Sequence, residues 1–152
     1  MHIVGRIFLV VLLVLASAQD IKERKIANKL NVAGLFCGLV LSFFRPDITF
    51  GESALGAAVA LGVGFACWML KIFRAGDAKL LCAVGAFVGW KMSLNCLLLA
   101  ILVGAVAGIP LLIKRLVKKE KGLTKFPFAT AITAGTLIGV HIGYVWELIN
   151  WL

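Results

Sequence analysis

Apolar residues follow one another in long blocks along this chain, and short polar segments separate the blocks. The blocks show neither the strict alternation of a half-buried strand nor the one-sided stripe of a surface helix. Uninterrupted apolar runs are typical of helices that cross a membrane, where each segment satisfies its own backbone hydrogen bonds. Alternating strands of about ten residues, which a membrane barrel requires, are not visible in the sequence. The pattern therefore predicts membrane-spanning helices.

Six such helices are predicted, and together they would form one domain over residues 1–152. The second and fourth are short against the roughly 20 residues that a bilayer usually requires. The predicted spans are Ile3–Gln19, Leu30–Phe44, Ala54–Phe73, Leu80–Trp90, Leu94–Ile113 and Phe128–Trp151. Four of them contain G-x-x-x-G, a spacing that lets helices approach closely in lipid. The predicted fold class is thus all-α: a polytopic integral membrane protein with about six transmembrane helices in a compact bundle.

The amino-acid composition agrees with a membrane protein. Of the 152 residues, 62% are hydrophobic, whereas a soluble domain has about 45–50% apolar residues. The four cysteines stand singly inside apolar runs with no C-x-x-C pair, so the sequence indicates neither disulfides nor a zinc site. We expect no metal and no cofactor.

The basic residues fall mainly in three of the predicted loops, which indicates an orientation. Thirteen of the 16 lysines and arginines lie in the loops after the first, third and fifth spans, within residues 22–29, 71–79 and 114–125. Loops rich in Lys and Arg stay in the cytoplasm. Both termini are therefore predicted outside. The net charge of +9 is explained by this topology, with anionic lipid as a partner, and we expect no nucleic acid to bind.

The N-terminal segment has a second interpretation. Arg6, an apolar stretch and then Ala16-Ser17-Ala18 are similar to a signal peptide with its cleavage site. Cleavage there would leave five spans and invert the predicted orientation.

Two aspartates stand at the boundaries between apolar blocks and basic loops. Asp20 follows the first predicted span and Asp77 precedes the fourth. Two crossings separate them, so both are predicted at the cytoplasmic boundary. An acid at such a boundary can simply mark the end of a helix, but a costly charge there is also a candidate functional residue. Two adjacent carboxylates can share one proton, which is the arrangement used by aspartyl proteases.

The residues around each aspartate resemble those of a known family. The fourth span opens with Ala75-Gly76-Asp77-Ala78-Lys79-Leu80-Leu81. This segment resembles the G-x-G-D signature of membrane aspartyl proteases, and its G-D-x-K-L-L form is similar to that of the type IV prepilin peptidase family. The segment from Asp20 to Asn28 is similar to the family's first-aspartate segment, and Lys125 to Ala129 resembles the basic-I-P-F segment before its last helix.

The resemblance implies a function and its site residues. It implies an aspartic endopeptidase of the plasma membrane that removes the leader of prepilins or pilin-like precursors at the cytoplasmic boundary. Asp20 and Asp77 would be the catalytic pair, with Gly76 and Lys79 as supporting motif residues. The chain lacks the domain with paired C-x-x-C motifs that larger bifunctional members carry, so the resemblance implies a peptidase-only form.

Two residues depart from the family pattern. Arg74 stands where the first glycine of G-x-G-D would be, and Ala27 replaces the usual proline. If that glycine only supplies flexibility, Arg74→Gly should leave activity intact or raise it, and we expect this outcome because the family's glycine implies that the chemistry does not require a cation there. The charge of Arg74 could instead stabilise an ionised aspartate. A transporter or proton-conducting subunit and an inactive scaffold of a pilus or secretion assembly remain as alternatives, and the oligomeric state and the particular prepilin stay open.

Overall fold

The described part of the chain folds into five helices. The computed structural model describes residues 3–23, 26–70, 74–118 and 128–151, and it describes side chains within these ranges except at 107–118, 128 and 144–151. The helices are α1 Ile3–Glu23, α2 Asn28–Phe43, α3 Phe50–Met69, α4 Ala75–Lys118 and α5 Phe128–Trp151. No strand occurs in these ranges, and the predicted all-α class is confirmed.

Three stretches of helix in the described ranges are long and apolar enough to cross a membrane. They are α1, α3 and the Ala75–Val106 part of α4. α2 and the Ala129–Gly143 part of α5 are apolar but shorter. Large apolar side chains such as Phe36 and Val106, 69% and 70% exposed, point away from the other helices. Such wide apolar exposure suits a lipid environment and not water.

The predicted fourth and fifth spans belong to one element, α4, and no loop separates them. Gly89 interrupts this helix with a φ of 76° and a ψ of 172°. A positive φ of this kind is readily adopted by glycine and rarely by other residues. The prediction had ended the fourth span one residue later, at Trp90, so the sequence located this break closely but gave it as a loop.

Before Gly89, α4 runs parallel to α2. Gly34 and Gly38 of α2 approach Ala83 and Ala86 in the same order along both helices. The missing glycine side chains allow these two helices to lie close together.

After Gly89, α4 runs antiparallel to α5. Ala100 and Cys96 approach Gly135 and Gly139 respectively, in opposite order along the two helices.

The directions of α2 and α5 relative to α1 show that α4 reverses its direction at Gly89. It is antiparallel to α2, since Gly5 approaches Arg45 while Gln19 accepts a hydrogen bond from the backbone of Ala27. The last turn of α1 contacts the first turn of α5, and the preceding turn of α1 contacts the next turn of α5, so these helices are antiparallel too. α2 and α5 hence run the same way, and the two halves of α4 run in opposite directions.

The reversal is held by polar contacts at the end of the bundle that contains Gly89. Arg45 is only 5% exposed, and its Nη1 donates to the backbone oxygen of Phe87 at 2.9 Å. That carbonyl lies in the last turn before Gly89, where helix carbonyls lose their partners within the helix. Arg45 also pairs with Asp47 at 2.8 Å. Burial raises the pKa of Asp47, but the hydrogen bond and charge of Arg45 outweigh it and hold this pKa well below its usual range.

Candidate active site

Asp20 is buried at the opposite end of the bundle. It lies inside the last turn of α1, three residues before Glu23, and not after the helix as predicted. Its side chain is 2% exposed. Oδ1 pairs with Nη1 of Arg74 at 3.4 Å, and Oδ2 accepts the backbone N–H of Ala129 at 3.1 Å. A carboxylate removed from water in this way needs such donors, because burial without them is costly.

Asp77 is buried beside the same arginine. It is 2% exposed and lies in the first turn of α4, where the prediction had placed it just before the helix. Its Oδ2 accepts the backbone N–H of Arg74 at 3.0 Å. Arg74 immediately precedes α4, so this contact satisfies a backbone donor at the start of the helix.

Arg74 therefore brings the two predicted aspartates into one cluster. Its guanidinium contacts Asp20 and its backbone contacts Asp77. The two carboxylates are 57 positions apart in the chain, and the antiparallel relation of α1 to the first half of α4 is what places them at the same end.

The supporting motif residues lie next to this cluster. The carbonyl oxygen of Gly76 accepts a hydrogen bond from Nδ2 of Asn31 at 3.2 Å. Asn31 is buried in α2, so the contact fixes the backbone just before Asp77 to a neighbouring helix. Lys79 donates from Nζ to Oδ1 of Asn28 at 2.9 Å in an exposed position. This contact ties α4 to the start of α2, and it directs the ammonium group to Asn28.

The remaining acids with described side chains lie elsewhere. Glu23 is exposed at the end of α1. Glu52 forms a capping box with Thr49 at the start of α3, and Asp47 pairs with Arg45 at the far end. His141 is exposed on α5.

Several residues of the predicted cytoplasmic loops lie outside the described residues. These are 24–25, 71–73 and 119–125.

The cluster has the composition that acid–base chemistry requires. Two buried carboxylates beside one guanidinium carry a net charge of −1 when both are ionised, and one bound proton makes the cluster neutral. Adjacent carboxylates resist ionising together, so a state with one charged and one protonated acid is favoured. Such a pair can deprotonate a water molecule and protonate a carbonyl oxygen.

Sequence reasoning missed two members of this cluster. Asn31 carries no motif signal, and its role follows only from the parallel packing of α2 on α4. The backbone donor of Ala129 is available because the first N–H groups of a helix have no partner within it. The start of α5 at Phe128, directly after a proline, was the signal that could have located it.

Comparison with known proteins shows the family to which the chain belongs. Residues 7–109 match the model of the type IV leader peptidase family, a range that includes both aspartates, Arg74 and Asn31. Among the relatives are three proteins named prepilin leader peptidase/N-methyltransferase. Those of Myxococcus xanthus (strain DK1622), Pseudomonas putida and Aeromonas hydrophila are 31%, 28% and 30% identical over 119, 134 and 141 residues.

The alignments cover most of this chain and a smaller part of each relative. They include 74%, 84% and 88% of this chain, but 36%, 46% and 48% of the respective relative. The chain thus spans between about a third and a half of the length of the curated relatives it matches. No solved structure is significantly similar to it. With its exposed apolar helices and the match over residues 7–109, the chain is an integral membrane protein that belongs to the type IV leader peptidase family.

Proposed function

We propose that this chain is an integral-membrane aspartic endopeptidase that removes the leader peptide from type IV prepilins or pilin-like precursors. The observation that carries the proposal is the buried cluster in which Arg74 contacts both Asp20 and Asp77. The family match and the names of the relatives support the substrate class.

The proposed chemistry uses the two carboxyl groups as an acid–base pair. The ionised carboxylate takes a proton from water while the water oxygen bonds to the scissile carbonyl carbon. The protonated carboxyl gives its proton to the carbonyl oxygen, which leaves a tetrahedral diol. One diol hydroxyl then returns a proton to the second carboxylate, the C–N bond breaks, and the first carboxyl protonates the departing nitrogen. Both groups end as they began.

The proposed topology is six crossings of the plasma membrane with both termini outside. The reversal at Gly89 supports it, because it divides α4 into two halves of opposite direction. The basic segments 22–29, 71–79 and 114–125 would then be cytoplasmic, as their Lys and Arg content favours. Residues 1–152 would form a single membrane-embedded peptidase domain, with the aspartates near the cytoplasmic boundary.

This position suits a substrate that itself lies in the membrane. A prepilin has a short leader followed by an apolar helix, and its cleavage site falls where the helix meets the cytoplasm. The aspartates lie at the ends of α1 and α4, whereas a carrier of ions or protons would be expected to hold its acids near the midplane.

Co-expression with a prepilin tests the proposal. Membranes that contain this chain and a prepilin should yield a pilin shortened by its leader, with the new N-terminus at the junction with the apolar helix. Intact-mass and N-terminal analysis of the pilin measure this. A pilin that keeps its leader although the chain is inserted in the membrane would contradict the proposal.

A further inference from the structure

The side chain of Arg74 forms an ion pair with Asp20, and its backbone N–H binds Asp77. Nη1 of the guanidinium lies 3.4 Å from Oδ1 of Asp20, while the backbone N–H binds Oδ2 of Asp77 at 3.0 Å. The family signature has glycine at this position, and glycine could make only the backbone contact. The ion pair with Asp20 is thus a feature that this chain adds to the motif.

Asp20 has donors on both of its oxygens. The guanidinium binds Oδ1 and the N–H of Ala129 at the start of α5 binds Oδ2. Hydrogen bonds from a charged donor to a carboxylate are roughly twice as strong as neutral ones. Protonating either oxygen of Asp20 would weaken a contact that the ionised form makes in full.

Asp77 has a weaker set of donors. Its contact within the described part of the chain is one neutral N–H in the first turn of α4. The N-terminus of a helix also favours an anion, through partial charges. The same effect acts on Asp20 from the start of α5. The charge of Arg74 also acts on Asp77, but the guanidinium forms its ion pair with Asp20, so this contact favours Asp20 as the ionised acid.

We propose that Arg74 is a positioning residue that keeps Asp20 ionised, so that Asp20 is the general base and Asp77 the protonated acid of the proposed peptidase. Asp20 then takes the proton from water, and Asp77 gives its proton to the carbonyl oxygen. The inference rests on the proposed function, since it divides the roles within that site.

Among the described residues, Arg74 is the cation that contacts Asp20. Asp77 faces it from α4, and α5 supplies the N–H of Ala129. Lys79 of α4 is turned to Asn28 of α2. On α1 itself, Lys22 and Glu23 are exposed to the surroundings.

Substitution of Arg74 by glutamine removes the cation and retains the backbone contact with Asp77. A base must be ionised to act, so cleavage should fall at low pH, where the pair of acids takes up a second proton. A nearby cation favours the charged form of a carboxyl group, so without the guanidinium this loss of cleavage should begin at a higher pH. We expect Arg74→Gln to move the acidic limb of the pH–rate profile for leader removal upward by about one pH unit. Arg74→Lys, which restores a cation, should return the limb towards its wild-type position.

A matched control separates this effect from the general loss of one positive charge. Lys22→Gln removes an exposed cation two residues after Asp20 and should leave the limb in place. The pH at which the acidic limb lies does not depend on how much of each variant is folded, whereas the rate of leader removal does. If the limb of Arg74→Gln coincides with that of the wild type, the inference is wrong although the peptidase proposal stands. A wild-type chain that leaves prepilin uncut would contradict the peptidase proposal itself.

Discussion

At the scale of single residues, the candidate site depends on the hydrogen-bond donors that two buried carboxylates receive. Asp20 takes its donors from the segment before α4 and from the start of α5, and neither lies near it in sequence. Removing a donor from a buried charge usually costs more than the contact itself contributes, because the remaining charge is left without compensation. Arg74 is about one third exposed, so solvent screens part of its effect on Asp20.

The residue level also shows what the sequence could and could not predict. Asp20 and Asp77 are predicted as a pair because each acid interrupts an apolar block and has a family motif beside it, and both contact Arg74 in the structure. Arg74 was identified as a departure from that motif, but its partner was not, since the nearer acid in sequence was Asp77 and the ion pair is made with Asp20. The direction of a long flexible side chain follows from packing, which a motif does not encode.

At the scale of helices, α3 and α4 make a close backbone contact. A side chain at Gly56 would collide with the backbone of Gly85 and Gly89, and one at Gly85 would collide with Gly56. Ser53 strengthens this contact by donating from Oγ to the backbone oxygen of Ala86 at 2.6 Å. Small residues permit such approach, and lipid supplies little hydrophobic driving force to replace it.

Gly56→Ala should therefore destabilise the protein, whereas Gly62→Ala on the same helix should not. Overpacking a close contact typically costs about 1–3 kcal/mol, while an added Cβ at Gly62 meets nothing within 4 Å. Thermal unfolding of both variants in detergent, followed by circular dichroism, measures the difference. Equal stability of the two variants would show that α3 and α4 do not depend on this contact.

The helices could be predicted from hydropathy more readily than their ends. The first and last predicted spans agree with α1 and α5 to within four residues at each end. The break at Gly89 was located to within one residue but given as a loop, because hydropathy does not show whether a loop or a single non-helical residue joins two apolar runs. A single glycine with positive φ suffices there, with Arg45 binding the Phe87 carbonyl.

At the scale of the whole molecule, the bundle has two chemically different ends. One end holds the cluster of Asp20, Asp77 and Arg74, and the other holds the ion pair of Arg45 and Asp47 together with the turn at Gly89. At that second end, Arg45 binds the backbone oxygen of Phe87 and the carboxylate of Asp47. These contacts stabilise the fold. The charged cluster at the other end is the part of the molecule suited to chemistry.

The proposed topology predicts which segments can be labelled from each side. Single cysteines introduced within 22–29, 71–79 and 114–125, in a chain whose four native cysteines are replaced, should react only after the cytoplasmic side is opened to an impermeant thiol reagent. Cysteines at either terminus should react from outside. Labelling of residues 114–125 from outside would contradict the six crossings, since it would require an even number of crossings between an outside N-terminus and this segment instead of five.

Leader removal by variants of the two aspartates tests the central claim most directly. Asp20→Asn and Asp77→Asn keep the shape of each side chain, but an amide can neither ionise nor give up a proton as the pair requires. Each single variant should lose leader removal, and the double variant should be no worse than either, because the two groups act as a unit. Glu23→Gln, an exposed acid one turn from Asp20 on α1, should cleave as the wild type does. The account predicts inserted, folded and inactive single variants; near-normal cleavage by either one would contradict it.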